Sequence, residues 1–170
     1  MAVRTIKNCF DPVLRKQCEV VKNIDGDLVT LSEDLIETTL AAPGVGLAAN
    51  QIGIPQRIFV VNMGVETDTD NLITLINPEI TAMEGSEVGE EGCLSIPDVV
   101  AKVNRATQIE LKAVDLNGKD VRYEASGFLA RALQHEMDHL NGILFWDSLG
   151  KIKRDILKRK FKKKLKEQDE

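Results

Sequence analysis

The chain lacks the features that mark secreted and membrane-bound proteins. It contains only three cysteines, Cys9, Cys18 and Cys93, and an odd, low number does not indicate a disulfide framework. No apolar run approaches the roughly 20 residues that span a bilayer, and no apolar segment typical of a secretory signal follows Met1. We therefore expect a protein of a reducing compartment, most simply the cytoplasm, with no membrane partner.

Aromatic residues and histidines are also scarce. Aromatic residues make up 4% of the chain, and its two histidines are His135 and His139. The hydrophobic share of 43% and the charged share of 29% are nonetheless ordinary for a globular protein. The length of 170 residues predicts one compact domain with its own core.

The charge is distributed unevenly. Residues 151–170 carry ten Lys/Arg and four Asp/Glu, whereas the preceding 150 residues carry twelve and twenty-three. An acidic body with a basic tail indicates that the tail contacts an anionic partner, although a solvated helix face would have the same composition. No motif for sequence-specific nucleic-acid binding is present.

Hydrophobic periodicity predicts helices near the start of the chain. Asp11-Pro12 is typical of the first turn of a short helix. Residues 30–33 (TLSE) have capping-box spacing and predict a second helix, which ends at Pro43-Gly44. We expect one face of this helix to carry Leu35, Ile36 and Leu40.

The middle of the chain has the pattern of strands, and the end returns to helices. Apolar runs at 57–62 and 72–77 predict strands joined by an acidic loop at 66–70, and the alternating run at 107–114 returns through 121–124 after a hairpin turn at Asn117-Gly118. Helical spacing follows from Gly127 to Asn141-Gly142. A last helix is predicted from about Leu149, with apolar positions Ile152, Ile156, Leu157, Phe161 and Leu165.

The predicted helix after Gly127 contains a metal-binding pattern. His135, Glu136 and His139 form H-E-x-x-H, in which the two histidines lie one turn apart on the same face and can bind one ion. Glu136 is offset by one residue and can act as general base toward a water on that ion. The alternative is a chance pair, with one structural and one exposed histidine. The pattern favours a metal-dependent hydrolase. Strands in the middle of the chain with helices at both ends predict an α+β domain, in which we expect mixed and mainly antiparallel sheets around the central metal-binding helix, with an N-terminal helical region and a C-terminal helix.

Two histidines leave the metal site incomplete, because a catalytic site usually has three protein ligands. The metzincin extension would need a histidine at position 145, where this chain has Phe145. The third ligand must then be Cys, Asp or Glu. Cys93, in residues 91–95 (EGCLS), is a distinctive candidate because thiolates bind borderline-soft ions strongly. A single cysteine is otherwise more often a small buried apolar residue.

Three segments together resemble one family. Residues 44–51 (GVGLAANQ), 91–95 (EGCLS) and 134–140 (QHEMDHL) resemble, in order and spacing, the signature motifs of peptide deformylases. The likeness continues in Ile96-Pro97 and in residues 141–145 (NGILF), and it covers most of the chain. The resemblance implies a hydrolase that removes the N-formyl group from the N-terminal formyl-methionine of nascent polypeptides and releases formate.

The resemblance also implies roles for the matching residues. Its metal ligands would be Cys93, His135 and His139, and Glu136 would be the general acid/base when metal-bound water attacks the formyl carbon. The oxyanion would be stabilised by the Gln51 side-chain amide and the Leu94 backbone N–H.

Substrate contacts are implied at a second group of positions. The peptide backbone would pair with Val45, Gly46 and Gly92, as an added strand pairs with a sheet edge. A pocket for the methionine side chain would include Val45, Phe128, Ala132 and His135, although Phe128 and Ala132 fit a plain core position equally well. Charge and the family pattern further predict an ion pair between Glu91 and Arg105. Asp138 is expected either to support the ligands or to be exposed. The arginine that some relatives carry after the cysteine motif has no counterpart in residues 97–100 (PDVV).

The resemblance implies a particular ion and a particular partner, which composition alone does not indicate. Cysteine with two histidines would suit Zn²⁺, but the family implies Fe²⁺ as the native ion, with Zn²⁺, Ni²⁺ or Co²⁺ as substitutes. The basic tail would then dock on the ribosome through phosphate attraction. We expect a catalytic part at residues 1–148 and a basic helix at 149–170 within the same domain.

Two other functions fit parts of the pattern. An H-E-x-x-H peptidase would usually need a third histidine or a downstream glutamate. A binding protein with a closed structural zinc would need a fourth protein ligand, and it would leave Gln51 and Glu136 without a role. Formate release from a formylated peptide, set against internal peptide cleavage, separates these functions.

Overall fold

The computed structural model describes residues 2–42, 44–64 and 72–168 of the chain. Within these ranges, no helix is both long enough and apolar enough to span a bilayer. In chain order the helices and strands are α1 (Gly26–Ala41), β1 (Gly46–Ala48), β2 (Ile58–Asn62), β3 (Leu72–Glu84), β4 (Glu87–Cys93), β5 (Ile96–Arg105), β6 (Gln108–Val114), β7 (Asp120–Ser126), α2 (Gly127–Leu140) and α3 (Lys151–Gln168). Short 3-10 helices lie at Pro12–Arg15, Ala49–Ile52 and Phe145–Ser148.

The strands form two antiparallel sheets. The larger has the order β1-β2-β3-β6-β7, and the smaller is the hairpin β4-β5. The hairpin β6-β7 turns at Gly118, whose φ of 79° lies in the left-handed region that favours glycine. This combination of antiparallel sheets and helices confirms the predicted α+β class.

Helices cover both faces of the larger sheet. Ile58 and Val60 pack with Leu31 and Leu35 of α1, whereas Phe59 and Val61 belong to the core cluster that contains α2. Successive strand residues point to opposite faces, so a strand covered on both sides is apolar throughout. Residues 58–61 are all apolar because α1 covers one face of this strand and α2 covers the other.

The C-terminal helix packs on a smaller, aromatic core. Phe161 is buried against Trp146, with ring centroids 6.3 Å apart, and against the half-exposed Phe10 at 5.8 Å. The same cluster contains the inward residues Val99 and Val103 of β5. Two of the apolar positions predicted for this helix do not pack in the core, because Ile152 is 79% exposed and Ile156 is 46% exposed. The helix contacts the body mainly through its later turns.

Other boundaries also differ from the predictions. Helix α1 begins five residues earlier than predicted, because its N-cap is Asp25 and not Thr30. Asp25 accepts the Leu28 amide proton at 2.9 Å. Leu40 is 45% exposed and is not on the buried face. The helix ends at Ala41, close to the predicted stop, of which Pro43 lies outside the described residues. The predicted acidic loop at 66–70 also lies outside them.

The hairpin β4-β5 and strand β1 were not predicted from the sequence. Residues 87–93 (EVGEEGC) are mostly acidic or glycine, so they lack the apolar alternation that indicates a strand. Their partner β5 does alternate, with Val99, Ala101 and Val103 buried. Strand β3 is also longer than the predicted strand at 72–77, because its second half pairs with β6.

Candidate metal centre and active site

Helix α2 carries both histidines on the face turned toward the smaller sheet. It starts directly after β7 at Gly127, whose φ of 60° makes the sharp change of direction from strand to helix. Leu133, Met137 and Leu140 anchor the helix in the main core. A buried helix with fixed ends holds His135 and His139 in one orientation.

Cys93 lies opposite these histidines, at the end of β4. Its Sγ is 3.3 Å from Nε2 of His139, and the two histidine Nε2 atoms are 3.2 Å apart. All three donor atoms lie within 4.8 Å of one another. Nitrogen and sulfur ligands about 2.0–2.3 Å from one tetrahedral ion would be about 3.3–3.8 Å apart. The three predicted ligands thus have the spacing that one transition-metal ion needs.

The protonation of His139 suits a metal ligand. Burial lowers the pKa of this imidazole well below its ordinary value, and nearby positive charge on His135 and Arg105 lowers it further. A neutral ring keeps a lone pair for the ion. The backbone carbonyl of His139 accepts a proton from the Asn50 side chain at 2.6 Å, which ties this turn of α2 to the 3-10 helix after β1.

The ring of His135 is oriented by Glu91. The carboxylate Oε1 lies 3.0 Å from His135 Nδ1, so Nε2 remains directed toward the other ligands. Arg105 donates to both carboxylate oxygens at 2.8 and 2.9 Å, which confirms the predicted ion pair. Arg131 adds a third charged contact at 2.7 Å. Burial alone would raise the pKa of Glu91, but these contacts hold it at about 2, so the carboxylate stays ionised beside the ligand.

Two further side chains support this arrangement. Asp138 bonds Arg105 Nη1 at 2.5 Å, so it belongs to the network behind the ligands. Phe145 occupies the position at which a metzincin would have its third histidine. Its ring stacks on His135 at a centroid distance of 6.3 Å and an interplanar angle of 26°.

Glu136 is buried beside the ligands but does not belong to the three-atom cluster. Its Oε2 is buried and has no hydrogen-bond partner among the described residues. A Cβ at position 46 would lie 3.2 Å from Glu136 Oε1 and 2.9 Å from the Val60 carbonyl, so Gly46 is required by this close approach. Burial raises the pKa of Glu136 to about 7. This carboxylate therefore has one oxygen without a hydrogen-bond partner among the described residues, and Glu136 lines the cavity described below.

Gln51 is fixed by contacts to both ends of its amide. Its Oε1 accepts the Ala48 amide proton at 3.0 Å, and its Nε2 donates to Ser95 Oγ at 3.1 Å. The same Nε2 lies 3.7 Å from Cys93 Sγ, at the edge of the metal cluster. The second N–H of this amide is therefore directed toward the sulfur of Cys93.

A cavity of about 600 Å³ opens onto this cluster. It is lined by every residue of the predicted site except His139, namely Val45, Gly46, Gln51, Gly92, Cys93, Leu94, Phe128, Ala132, His135 and Glu136. Phe128 is 55% exposed and is not a core residue, whereas Ala132 is buried. Strand β1 is an edge of the larger sheet and β4 pairs only with β5 among the described strands, so both present a free edge. The Val45 carbonyl already accepts the Asn62 amide proton at 2.8 Å.

Sequence reasoning did not single out Ser95, Asn50 or Arg131. Ser95 and Asn50 stand next to predicted site residues within the motifs, and that adjacency was the available signal. Arg131 lies four residues before His135 in α2, so helical spacing places it on the same face. Its acceptors come from β4 and β5, which were not predicted as strands.

Comparison with known proteins agrees with this geometry. Residues 3–155 match the family model described as polypeptide deformylase. The peptide deformylase of Thermodesulfovibrio yellowstonii is 46% identical over 96% of this chain and 99% of its own length. That of Rhizobium meliloti is 47% identical over 96% of this chain and 94% of its own length.

Solved structures show the same fold. A peptide deformylase from Legionella pneumophila superposes with a TM-score of 0.93 at 41% identity, covering 99% of this chain and 98% of that one. The enzyme from Ehrlichia chaffeensis in complex with actinonin superposes with a TM-score of 0.90 at 37% identity, covering 96% and 98%. Since the family model and these relatives span nearly the whole chain, the protein belongs to the peptide deformylase family.

Proposed function

We propose that this chain hydrolyses the N-formyl group of nascent polypeptides that begin with formyl-methionine, and that Cys93, His135 and His139 hold its catalytic ion. The observation that carries the proposal is the convergence of these three donors with Glu136 and Gln51 on one cavity. A divalent ion at this position would lower the pKa of a bound water and polarise the formyl carbonyl. We propose Fe²⁺ as the native ion on the strength of the family resemblance alone. Zn²⁺, Ni²⁺ or Co²⁺ would be substitutes, because all four ions accept thiolate and imidazole ligands.

Glu136 moves the protons in this proposal. Its unpartnered Oε2 would take a proton from the attacking water and later deliver one to the leaving nitrogen. The Gln51 Nε2 and the Leu94 backbone N–H would donate to the oxygen that becomes negative in the tetrahedral intermediate. Gln51 suits this role because Ala48 and Ser95 fix its amide before the substrate arrives.

The free edges of β1 and β4 support a binding mode for the peptide. An extended substrate would pair with backbone groups at Val45, Gly46 and Gly92 and become an added strand. The methionine side chain would then enter the cavity between Phe128, Ala132 and His135. We propose that actinonin, which the Ehrlichia chaffeensis relative binds, occupies the same cavity here.

A direct assay tests the proposed function. We expect the purified protein to release formate from formyl-Met-Ala-Ser and to leave the peptide bonds of Met-Ala-Ser and of longer unformylated peptides intact. Formate is measured by a coupled dehydrogenase assay, and peptide products are measured by mass spectrometry. Internal cleavage of unformylated peptides without formate release would overturn the proposal in favour of an H-E-x-x-H peptidase.

We also propose that the cytoplasmic ribosome is the partner of the basic C-terminal helix. Residues 1–148 would carry catalysis and residues 149–170 would form a helix of the same domain. Two contacts with the body support placing this helix in the same domain: Phe161 is buried in the aromatic core, and Lys164 forms a 2.9 Å ion pair with Asp98. Arg159, Lys160, Lys162 and Lys163 are exposed and available to phosphate groups.

Replacing three of these exposed cations tests the ribosome proposal without removing Phe161. We expect a Lys160, Lys162 and Lys163→Ala variant to bind ribosomes at least about tenfold more weakly at low salt, because fewer phosphate contacts are made. Co-sedimentation at several salt concentrations measures the change. A matched variant with Lys22, Lys102 and Lys119→Ala, which are also exposed, controls for net charge. Equal binding by both variants would contradict the proposal.

A further inference from the structure

Arg131 separates the active-site cavity from a second cavity. The first, of about 600 Å³, contains the metal cluster. The second, of about 300 Å³, lies between β4 and the start of α2 and is lined by Glu87, Gly89, Thr107 and Gly127 among others. Three residues line both cavities, namely Glu90, Phe128 and Arg131. These three residues therefore lie where the two spaces adjoin, and we call them the partition.

Arg131 is the fixed part of this partition. Its Nη1 donates to Glu91 Oε2 at 2.7 Å and to the Val103 carbonyl at 2.8 Å. Its Nη2 donates to the Glu87 carbonyl at 2.8 Å. Phe128 and Glu90, in contrast, are exposed. The Gly89 carbonyl is a fourth acceptor, at 3.5 Å from Nη1. A guanidinium bonded to four acceptors on β4 and β5 cannot rotate aside to admit a longer ligand without losing these contacts.

Gly89 makes room for the guanidinium. A Cβ at this position would lie 3.1 Å from Arg131 Cζ and 3.1 Å from Nη2. The arginine head thus packs directly on the backbone of β4, in the space that a side chain at position 89 would occupy. The wall of the pocket at this point is built from α2 and not from the strand.

We propose that Arg131 is a specificity-determining residue that sets the depth of the substrate side-chain pocket. This inference rests on the proposed function, in which that pocket receives the methionine side chain. With Arg131 in place, a side chain longer than methionine meets a bonded guanidinium whose charge is already balanced by Glu91. Without it, the pocket continues into the second cavity, and a longer apolar side chain gains room.

The experiment compares two formylated tripeptides in one formate-release assay. One is formyl-Met-Ala-Ser, and the other carries a linear hexyl side chain in place of the methionine side chain. We expect Arg131→Ala to raise the ratio of kcat/KM for the hexyl substrate to that for the methionine substrate by at least about tenfold, since even one methylene in a pocket is worth that much. Phe128→Ala removes the exposed part of the partition without touching Glu91, and we expect it to raise the same ratio by a smaller factor.

Arg105→Ala is the matched control. Arg105 also bonds Glu91 but does not line the pocket, so we expect lower kcat with an unchanged ratio. An unchanged ratio in a folded Arg131→Ala variant would overturn the inference. An equal rise of the ratio in Arg105→Ala would also overturn it, because the effect would then pass through Glu91. If Arg131→Ala does not fold, the ratio measured with Phe128→Ala tests the inference, and an unchanged ratio in that variant overturns it. Absence of formate release from formyl-Met-Ala-Ser by the unaltered protein would overturn the proposed function itself, which distinguishes the two failures.

Discussion

Replacing Glu136 with glutamine is expected to lower formate release by about 10²–10⁴-fold, the usual contribution of a general acid/base, while the protein keeps its ion. Glutamine has the size of glutamate but cannot accept and return a proton. The carboxylate is not one of the three clustered donor atoms, so its loss leaves the ligand set complete. Its Oε2 has no hydrogen-bond partner among the described side chains, so little of the local structure depends on its charge. Steady-state formate release and elemental analysis of the same preparation measure both quantities.

Asp138→Asn provides the control for this variant. Asp138 is an acidic residue on the same helix, but it contacts the substrate cavity only through Arg105 and Glu91. We expect it to lose less activity than Glu136→Gln, because it orients a ligand and transfers no proton. Turnover by Glu136→Gln within a few fold of the unaltered protein would show that another group moves the protons.

Helix α2 and its H-E-x-x-H pattern were predictable from the sequence, because the pattern that indicates them is local. Both histidines and Glu136 lie within five consecutive residues, and the helical period that brings them together is a property of the chain itself. The hairpin at Gly118 was predictable for the same reason, since the turn residue and the alternating strands are neighbours in sequence. Such features do not depend on which distant segment packs against them.

The remaining site depends on contacts between distant segments. Strand β4 has little apolar character, and it becomes a strand only because β5 pairs with it and Arg131 binds its carbonyl groups. Tertiary contacts override local preference in such segments. For this reason the sequence indicated Cys93 only as a candidate third ligand and Glu91 only through charge and the family pattern, without the strand that holds them, and it did not indicate the role of Arg131 in the cavity wall.

The start of α1 illustrates a competition between two local signals. Residues 30–33 have the spacing of a capping box, but Asp25 is also a good N-cap, and Asp27 adds an acidic residue to the first turn. The earlier start adds a turn that brings Leu28 into the core. Burial of that leucine favours Asp25 over the later signal, and periodicity alone does not reveal it.

Replacing Cys93 with alanine is expected to remove the bound ion, from about one equivalent to a small fraction of one. Two imidazoles from one helix would hold a divalent ion weakly, and in the proposed site the Cys93 thiolate would supply the third ligand from the smaller sheet. Cys93 Sγ lies 3.3 Å from His139 Nε2, and the described residues contain no other group of three His, Cys, Asp or Glu donors at this spacing. Formate release should fall together with metal content, which separates this variant from Glu136→Gln.

Cys18→Ala is the matched control for loss of a thiol. Cys18 is buried in the main core, and burial raises the pKa of its thiol to about 11, so it stays protonated and does not bind an ion. We expect this variant to keep one equivalent of metal despite a modest loss of packing. Metal content is measured by mass spectrometry of protein purified without oxygen, because an iron–thiolate site is open to oxidation. A Cys93→Ala protein with one tightly held ion would show that a carboxylate supplies the third ligand, as the sequence alone allowed. Glu136, which lines the same cavity, would then be one candidate, and in that case its role as a free base would fail with the role of Cys93.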